Sequence, residues 1–311
     1  MHCIAKILQQ QSVVIVDGGL GTELEKRGCD LNTPLWSSRL LLSEPETIAA
    51  VHTAYLEAGA DCLITASYQA SYEGFMPLGL SEKQTTKLLI SSVSLACRAR
   101  DVFWENTDQK SRPRPLVAAS IGPYGAFLAD GSEYRGNYGI TTAALQSFHR
   151  KRMRTLIEAG PDLLACETIP CLAEAEVLAD LLQEFPQVCC WMSFTARDAE
   201  HISSGEGLGQ CVEYLEKYPQ IAAIGINCTA PRHVEPLLAI LRTKTDKPII
   251  VYPNKGGHYG PTATTRIRDD KEISYKERSR LWFQQGARLI GGCCNTTPED
   301  IWQIAEWVRC K

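Results

Sequence analysis

Short apolar runs recur along the chain at residues 13–16, 62–66, 116–121, 163–166, 189–194, 222–226, 249–252 and 288–291. Each is nearly continuous in apolar character, the pattern of a strand buried on both faces in a parallel sheet. The longer stretches between them carry helical spacing. Residues 81–104 put Leu88, Leu89, Val93 and Ala96 on one helical face. Residues 43–58, 141–159, 172–185, 208–218, 231–241, 275–285 and 297–308 complete the helical set. Ser43-Glu44-Pro45 and Thr297-Pro298-Glu299-Asp300 read as helix starts, each with a cap residue and a proline in the first turn.

An internal echo supports the alternation. Glu57-Ala58-Gly59-Ala60-Asp61, Glu158-Ala159-Gly160-Pro161-Asp162 and Gln285-Gly286-Ala287 each end a helix on glycine and lead into the next strand. Repeated units of this kind give an α/β fold, and eight of them favour a single (β/α)8 TIM-type barrel over an open sheet. No low-complexity linker interrupts residues 1–311, so one domain is expected. The rival is a doubly wound dinucleotide fold, supported by Gly19-Leu20-Gly21-Thr22-Glu23-Leu24 after the first strand. Leu24 stands where the third fingerprint glycine belongs, so that match is partial.

Composition adds exclusions. The 311 residues are 44% hydrophobic and 22% charged, with a net charge of -4 and no Lys/Arg-rich block. Neither nucleic acid nor an anionic membrane is an expected partner. No run approaches the ~18 apolar residues of a membrane span, and the N-terminus lacks the features of a signal peptide, so a cytoplasmic protein is expected. Thirteen cysteines in a reducing compartment are mostly buried thiols, and position must decide which are not.

In a barrel of this type the chemistry lies at the C-terminal strand ends. Those ends are polar here: Asp17-Gly18-Gly19, Thr65-Ala66-Ser67-Tyr68-Gln69, Cys166-Glu167-Thr168, Asn227-Cys228 and Cys293-Cys294. Cys189-Cys190 instead opens the fifth strand, at the opposite rim, and reads as packing. Cys228 alone would be a small core residue. Together, Cys228, Cys293 and Cys294 at one rim favour a shared zinc ion with its fourth position open to a substrate sulfur. No C-x-x-C pair supports ligation by spacing. Neighbours on an extended strand face opposite ways, so the vicinal pair needs a bend, which Gly291-Gly292 permits. A Cys293–Cys294 disulfide is the alternative and demands strained geometry. Asn227 is a stand-in for the fourth ligand when substrate is absent.

Asp17 and Glu167 at the barrel mouth point to a cationic ligand group such as an ammonium, against the plainer roles of cap and ion-pair partner. Gly18-Gly19 either presents N–H groups to a carboxylate or forms a tight turn. No H-x-H or H-E-x-x-H pattern occurs, which argues against a His-ligated zinc hydrolase. The loop over residues 198–209 is expected to be mobile and to cover the site.

These strand-end motifs resemble those of the homocysteine S-methyltransferases. The matching segments are Asp17-Gly18-Gly19, Thr65-Ala66-Ser67-Tyr68-Gln69-Ala70, Cys166-Glu167-Thr168-Ile169-Pro170, Gly225-Ile226-Asn227-Cys228 and Gly291-Gly292-Cys293-Cys294, in family order. The resemblance implies a (β/α)8 barrel with zinc on Cys228, Cys293 and Cys294. It implies that Asp17 and Glu167 hold the homocysteine ammonium and that Gly18 and Gly19 hold its carboxylate, with Thr65, Ser67 and Asn227 as further substrate contacts. Residues 67–70 and 122–136 are similar to the branch that takes its methyl group from S-methylmethionine or S-adenosylmethionine. The implied reaction is methyl transfer from such a sulfonium to the homocysteine thiolate, forming methionine. A selenocysteine or other thiol methyltransferase would share every motif. A non-catalytic zinc-binding or thiol-sensing protein would keep the cysteines but has no need of Asp17 and Glu167.

Overall fold

The computed structural model describes residues 2–33, 35–256 and 273–309. Its strands are β1 (Val14–Ile15), β2 (Cys62–Ile64), β3 (Leu116–Ile121), β4 (Leu163–Ile169), β5 (Cys190–Phe194), β6 (Ile221–Asn227), β7 (Ile249–Tyr252) and β8 (Ala287–Ile290). All neighbours pair in parallel, in the order β1-β8-β7-β6-β5-β4-β3-β2. The two ends of that order meet where Val16 bridges Cys62 and Asp17 N donates to Cys62 O at 3.0 Å. The strands therefore form the expected TIM barrel, with one strand for each apolar run.

Two strand ends depart from the sequence reading by more than one residue. β2 stops at Ile64, whose N–H donates to the Asp17 carboxylate, Oδ2, at 2.8 Å. β4 runs past Cys166 to Ile169, and its register against β5 shifts between those residues. That irregularity places Glu167 and Thr168 inside the wall rather than in a loop.

Alternation along each strand separates two cores. Val14, Val16, Ala118, Leu163, Ala165, Trp191, Ala223, Ile250 and Leu289 face the barrel interior. Ile15, Leu63, Val117, Leu164, Met192, Ile224, Val251 and Ile290 face the helical layer. A helix at Cys3–Leu8, for which the sequence reading made no provision, supplies Ile4 and Ile7 to the interior cluster. Cys189 belongs to that cluster, with its sulfur 3.9 Å from that of Cys3, so the Cys189-Cys190 pair lies at the packing end as read.

The helices follow their local signals. Ser81 and Ser274 each form a reciprocal capping box, with Gln84 and Glu277. At Pro45–Glu57 the cap is Glu44 rather than Ser43, and its side chain does not cap the helix N–H groups. Residues 198–209 do not form a cover. They fold as a pinned hairpin, with Ile202 N on Glu206 O at 3.0 Å and Ser203 N on Thr195 O at 2.9 Å, and no residue of this stretch lines the large cavity described below. Among the described residues no helix is long and apolar enough to cross a membrane.

Candidate metal centre and active site

The interior rows, read upward by twos, end in polar side chains. Ala118 is followed by Ser120, Ala165 by Glu167, Trp191 by Ser193 and Ile250 by Tyr252. Glu167 accepts hydrogen bonds from Ser120 Oγ and, at 3.1 Å, from the Tyr252 hydroxyl. The Tyr252 hydroxyl also meets Trp191 Nε1 at 3.0 Å and Ser193 Oγ at 2.7 Å. Ser193 donates in turn to Asn227 Oδ1 at 2.8 Å. A buried polar layer is stable only when its members are satisfied, and here each side chain finds a hydrogen-bond partner within the chain of contacts that runs from Ser120 to Asn227.

Asn227 then sets the backbone. Its Oδ1 accepts from Thr168 N at 2.7 Å and its Nδ2 donates to Thr168 Oγ1 at 2.7 Å. Thr168 has φ +58° and Cys228, the next residue after Asn227, has φ +47°. Left-handed backbone at non-glycine residues costs roughly 1–3 kcal/mol each and persists where surrounding contacts enforce it. Here the two kinked strand ends, β4 and β6, are tied together by one asparagine.

Cys293 and Cys294 sit in the turn beyond β8. Cys293 N donates to Pro253 O at 2.9 Å, Cys294 N to Asn254 Oδ1 at 3.2 Å, and Lys255 N to Cys294 O at 2.9 Å. Because the pair has left the strand, the problem of opposite faces does not arise. The left-handed residue of the turn is Asn295, at φ +65°, while neither Gly291 nor Gly292 has positive φ. The glycines serve close approach instead. A Cβ on Gly291 would meet Val16 and the Asp17 carbonyl at 2.7–2.8 Å, and one on Gly292 would enter the Thr296 side chain.

The three sulfurs of Cys228, Cys293 and Cys294 lie within 4.8 Å of one another, and Cys228 Sγ is 3.8 Å from Cys294 Sγ. Tetrahedral zinc with Zn–S bonds of ~2.3 Å places its sulfurs about 3.8 Å apart, so this donor set fits the ion. The Tyr134 hydroxyl stands 3.3 Å from Cys228 Sγ. Hydrogen bonds from the Cys293 and Cys294 thiols push the Cys228 thiol well below its ordinary pKa, while the same contacts raise the other two. No disulfide joins any of them.

The carboxylates lie against the same space. Asp17 is only 3% exposed, and its Oδ1 has no hydrogen-bond partner among the described residues. Burial, with the Glu167 charge adding, raises its pKa well above the usual range despite the Ile64 N–H. Burial likewise pushes Glu167 up to about 7, against the hydrogen bonds from Ser120 and Tyr252. Two buried carboxyls with one orphaned oxygen are neutralised either by a proton or by a cation brought into the cavity.

A cavity of about 410 Å³ joins the sulfurs to the carboxyls. Asp17, Glu25, Glu133 and Glu167 line it, with Trp36, Tyr68, Tyr134 and Tyr252, and no Lys, Arg or His among the described residues does. Of the residues singled out from sequence, Asp17, Gly18, Gly19, Thr65, Glu167, Cys228, Cys293 and Cys294 border this cavity. Ser67 and Asn227 do not. Ser67 spends its hydroxyl on Ser120 O at 2.8 Å, and Asn227 is committed to Thr168 and Ser193, so both build the wall from behind. Asn227 is therefore not placed to stand in as a fourth ligand. Gly19 has its N–H engaged by Thr296 Oγ1 at 3.0 Å, which leaves Gly18 as the member of that pair whose amide is uncommitted among the described bonds. Sequence reasoning gave no role to Tyr252, Tyr134, Trp36 or Glu133. Counting by twos from Ile250 reaches Tyr252. Glu133 and Tyr134 fall within the segment 122–136 whose resemblance was noted, but no pattern singled them out there, and none marked Trp36; all three lie in short 3-10 turns.

The homocysteine S-methyltransferase family model matches residues 14–308. The homocysteine S-methyltransferase YbgG of Bacillus subtilis is 53% identical over 310 residues, spanning 99% of this chain and 98% of its own length. The selenocysteine Se-methyltransferase of Brassica oleracea var. italica is 46% identical, over 92% of this chain and 86% of its own. The crystal structure of the Escherichia coli homocysteine methyltransferase MmuM in its metallated form superposes with a TM-score of 0.88. It is 44% identical and covers 98% of this chain and 99% of that one.

Proposed function

This chain belongs to the homocysteine S-methyltransferase family, and from that premise we propose that it methylates L-homocysteine to methionine with a sulfonium donor, S-methylmethionine or S-adenosylmethionine. The observation that carries the reading is the shared cavity. One wall gathers three thiols within 4.8 Å, and the other holds the buried, unpartnered oxygen of Asp17. A zinc-binding sensor would need the first wall and not the second.

Cys228, Cys293 and Cys294 would hold zinc. Bound there, the ion would offer one open position to a substrate sulfur and favour its thiolate form over the free thiol of pKa near ~8.5. Three thiolates are the soft donor set expected for zinc rather than magnesium or calcium. Asp17 and Glu167 take the homocysteine ammonium, which supplies the positive charge their burial lacks. Gly18 lies beside them on the cavity wall for the carboxylate.

The transfer forms one sulfur–methyl bond as another breaks. The homocysteine sulfur brings negative charge, the donor sulfonium positive charge, and the leaving group is a neutral thioether. Charge cancels along the path, so a poorly solvated site favours the step. The residues contribute by alignment: anchoring the acceptor at its amino-acid end fixes where its sulfur points.

Methionine formation from homocysteine, measured with S-methylmethionine, S-adenosylmethionine and betaine in parallel, tests the reading. Turnover with a sulfonium and none with betaine supports it. Absence of methionine with either sulfonium ends it. Selenocysteine as acceptor in the same assay measures acceptor preference.

A further inference from the structure

Asp17 and Glu167 account for one cation, and the cavity holds a further carboxylate that no step above uses. Glu133 lies in the turn Ser132–Tyr134, and its Oε2 is buried with no hydrogen-bond partner among the described residues. The turn is not loose. Asp130 Oδ1 accepts from Ser132 N at 2.9 Å, and Gly136 N closes on Ser132 O at 2.8 Å. Gly125 packs so closely beneath that a Cβ there would strike the backbone of Ser132 and Glu133. The next residue, Tyr134, puts its hydroxyl 3.3 Å from Cys228 Sγ. A carboxylate is thus held at the cavity wall one residue from a group that touches the thiol centre.

Burial, reinforced by negative charge at Cys228, raises Glu133 to about 7. A carboxyl in that setting is stabilised as an anion by an incoming cation. Across the same cavity Trp36 and Tyr68 meet edge to face at 6.4 Å between ring centres. Aromatic walls of this kind attract a desolvated cation and leave an anion unserved.

Resting on the methyltransferase reading above, we propose that Glu133 is a donor-specificity residue whose carboxylate binds the positive charge of the sulfonium methyl donor. Its orphaned oxygen, the fixed turn and the aromatic wall all select a cationic donor over its neutral thioether product. That difference favours release of the spent donor after transfer.

The test is the variant Glu133→Gln, which keeps the size of the side chain and removes its charge, studied in the full-length, zinc-loaded protein. The donor KM is expected to rise roughly tenfold, the loss of one close charge–charge contact in a poorly solvated site. The homocysteine KM and the zinc content stay as in the wild type, and Glu133→Asp recovers part of the donor affinity. S-methylmethionine and S-adenosylmethionine are run as separate arms to show which sulfonium the effect follows. An unchanged donor KM, or an equal rise in both KM values, overturns the proposal while leaving the methyltransferase reading intact. A wild-type protein that turns over neither sulfonium overturns both.

Discussion

The hydroxyl of Tyr134 lies 3.3 Å from the sulfur of Cys228, across 94 residues of chain. Tyr134 is half-buried, and desolvation followed by the negative charge of Cys228 holds it protonated by raising its pKa well above the ordinary value. It therefore meets the sulfur as a donor. Groups of this kind orient a metal ligand and trim its electron density.

Removal of that hydroxyl is the first prediction. Tyr134→Phe keeps the ring packing and takes away the hydrogen bond. Metal affinity or turnover is expected to fall by about 10–100-fold, the usual range for partners of metal ligands. Zinc titration against a chromogenic chelator and steady-state rates measure the two effects. Unaltered values for both would show that the contact is incidental.

The thiols themselves give a sharper outcome. The purified protein should carry about one zinc per chain. Cys228→Ser or Cys294→Ser should lose both the metal and methyl transfer, while far-UV circular dichroism stays that of the wild type. Elemental analysis settles stoichiometry and identity together. Full activity after exhaustive chelation would eliminate a metal-dependent reaction.

The contrast between these cysteines and the rest of the site shows what the linear chain could reveal. Continuous apolar runs mark strands whatever their surroundings, so the barrel was readable. Cys228, Cys293 and Cys294 fall at the ends of such runs, and the barrel rule places those ends on one rim. Ser67 and Asn227 also stand at strand ends, but which way a side chain faces depends on a kink the sequence does not announce. At Thr168 and Cys228 the backbone turns left-handed without a glycine. Glu133 and Trp36 reach the cavity from short turns, where no periodicity says which wall they face. The bend at residues 291–295 shows the same limit: the glycines there answer to neighbouring bulk, and an asparagine takes the unusual conformation.

Arg152 offers a test of the scaffold apart from the chemistry. It is 1% exposed and donates to Gly122 O at 3.1 Å, Ser67 O at 3.3 Å and Tyr68 O at 2.8 Å. One side chain thereby clamps the ends of β2 and β3 beneath Tyr68. Arg152→Leu strands the Gly122 and Tyr68 carbonyls, while Ser67 O keeps the Ala70 N–H at 3.1 Å, at about 1–3 kcal/mol for each buried group left unsatisfied. Calorimetry should show a clear fall in Tm. Arg152→Lys should recover only part, because a single ammonium cannot reproduce the planar fork. A variant as stable as the wild type would mean that water replaces the guanidinium.

The last prediction concerns pH and Glu167. Its pKa stands at about 7 in the ligand-free protein, against a usual 4.5, and burial is the main cause. The folded state therefore holds more protons than the unfolded chain between about pH 4.5 and 7. By linkage, this group's contribution to stability is complete below the lower value and is lost as pH rises through the upper one. An ammonium reverses the preference, since it binds the carboxylate and must expel the proton. Affinity for methionine, an amino-acid ligand without a titrating thiol, should weaken as pH drops below about 7, with up to one proton released per site. Calorimetry in two buffers of different ionisation enthalpy reads that proton directly. In Glu167→Gln the release should shrink and binding flatten with pH, leaving only the share of Asp17, whose pKa is also raised. In steady-state kinetics the same variant should raise the KM for homocysteine more than that for the donor. Proton release undiminished in the variant, or an unchanged homocysteine KM, would remove Glu167 from the ammonium site and leave the task to Asp17.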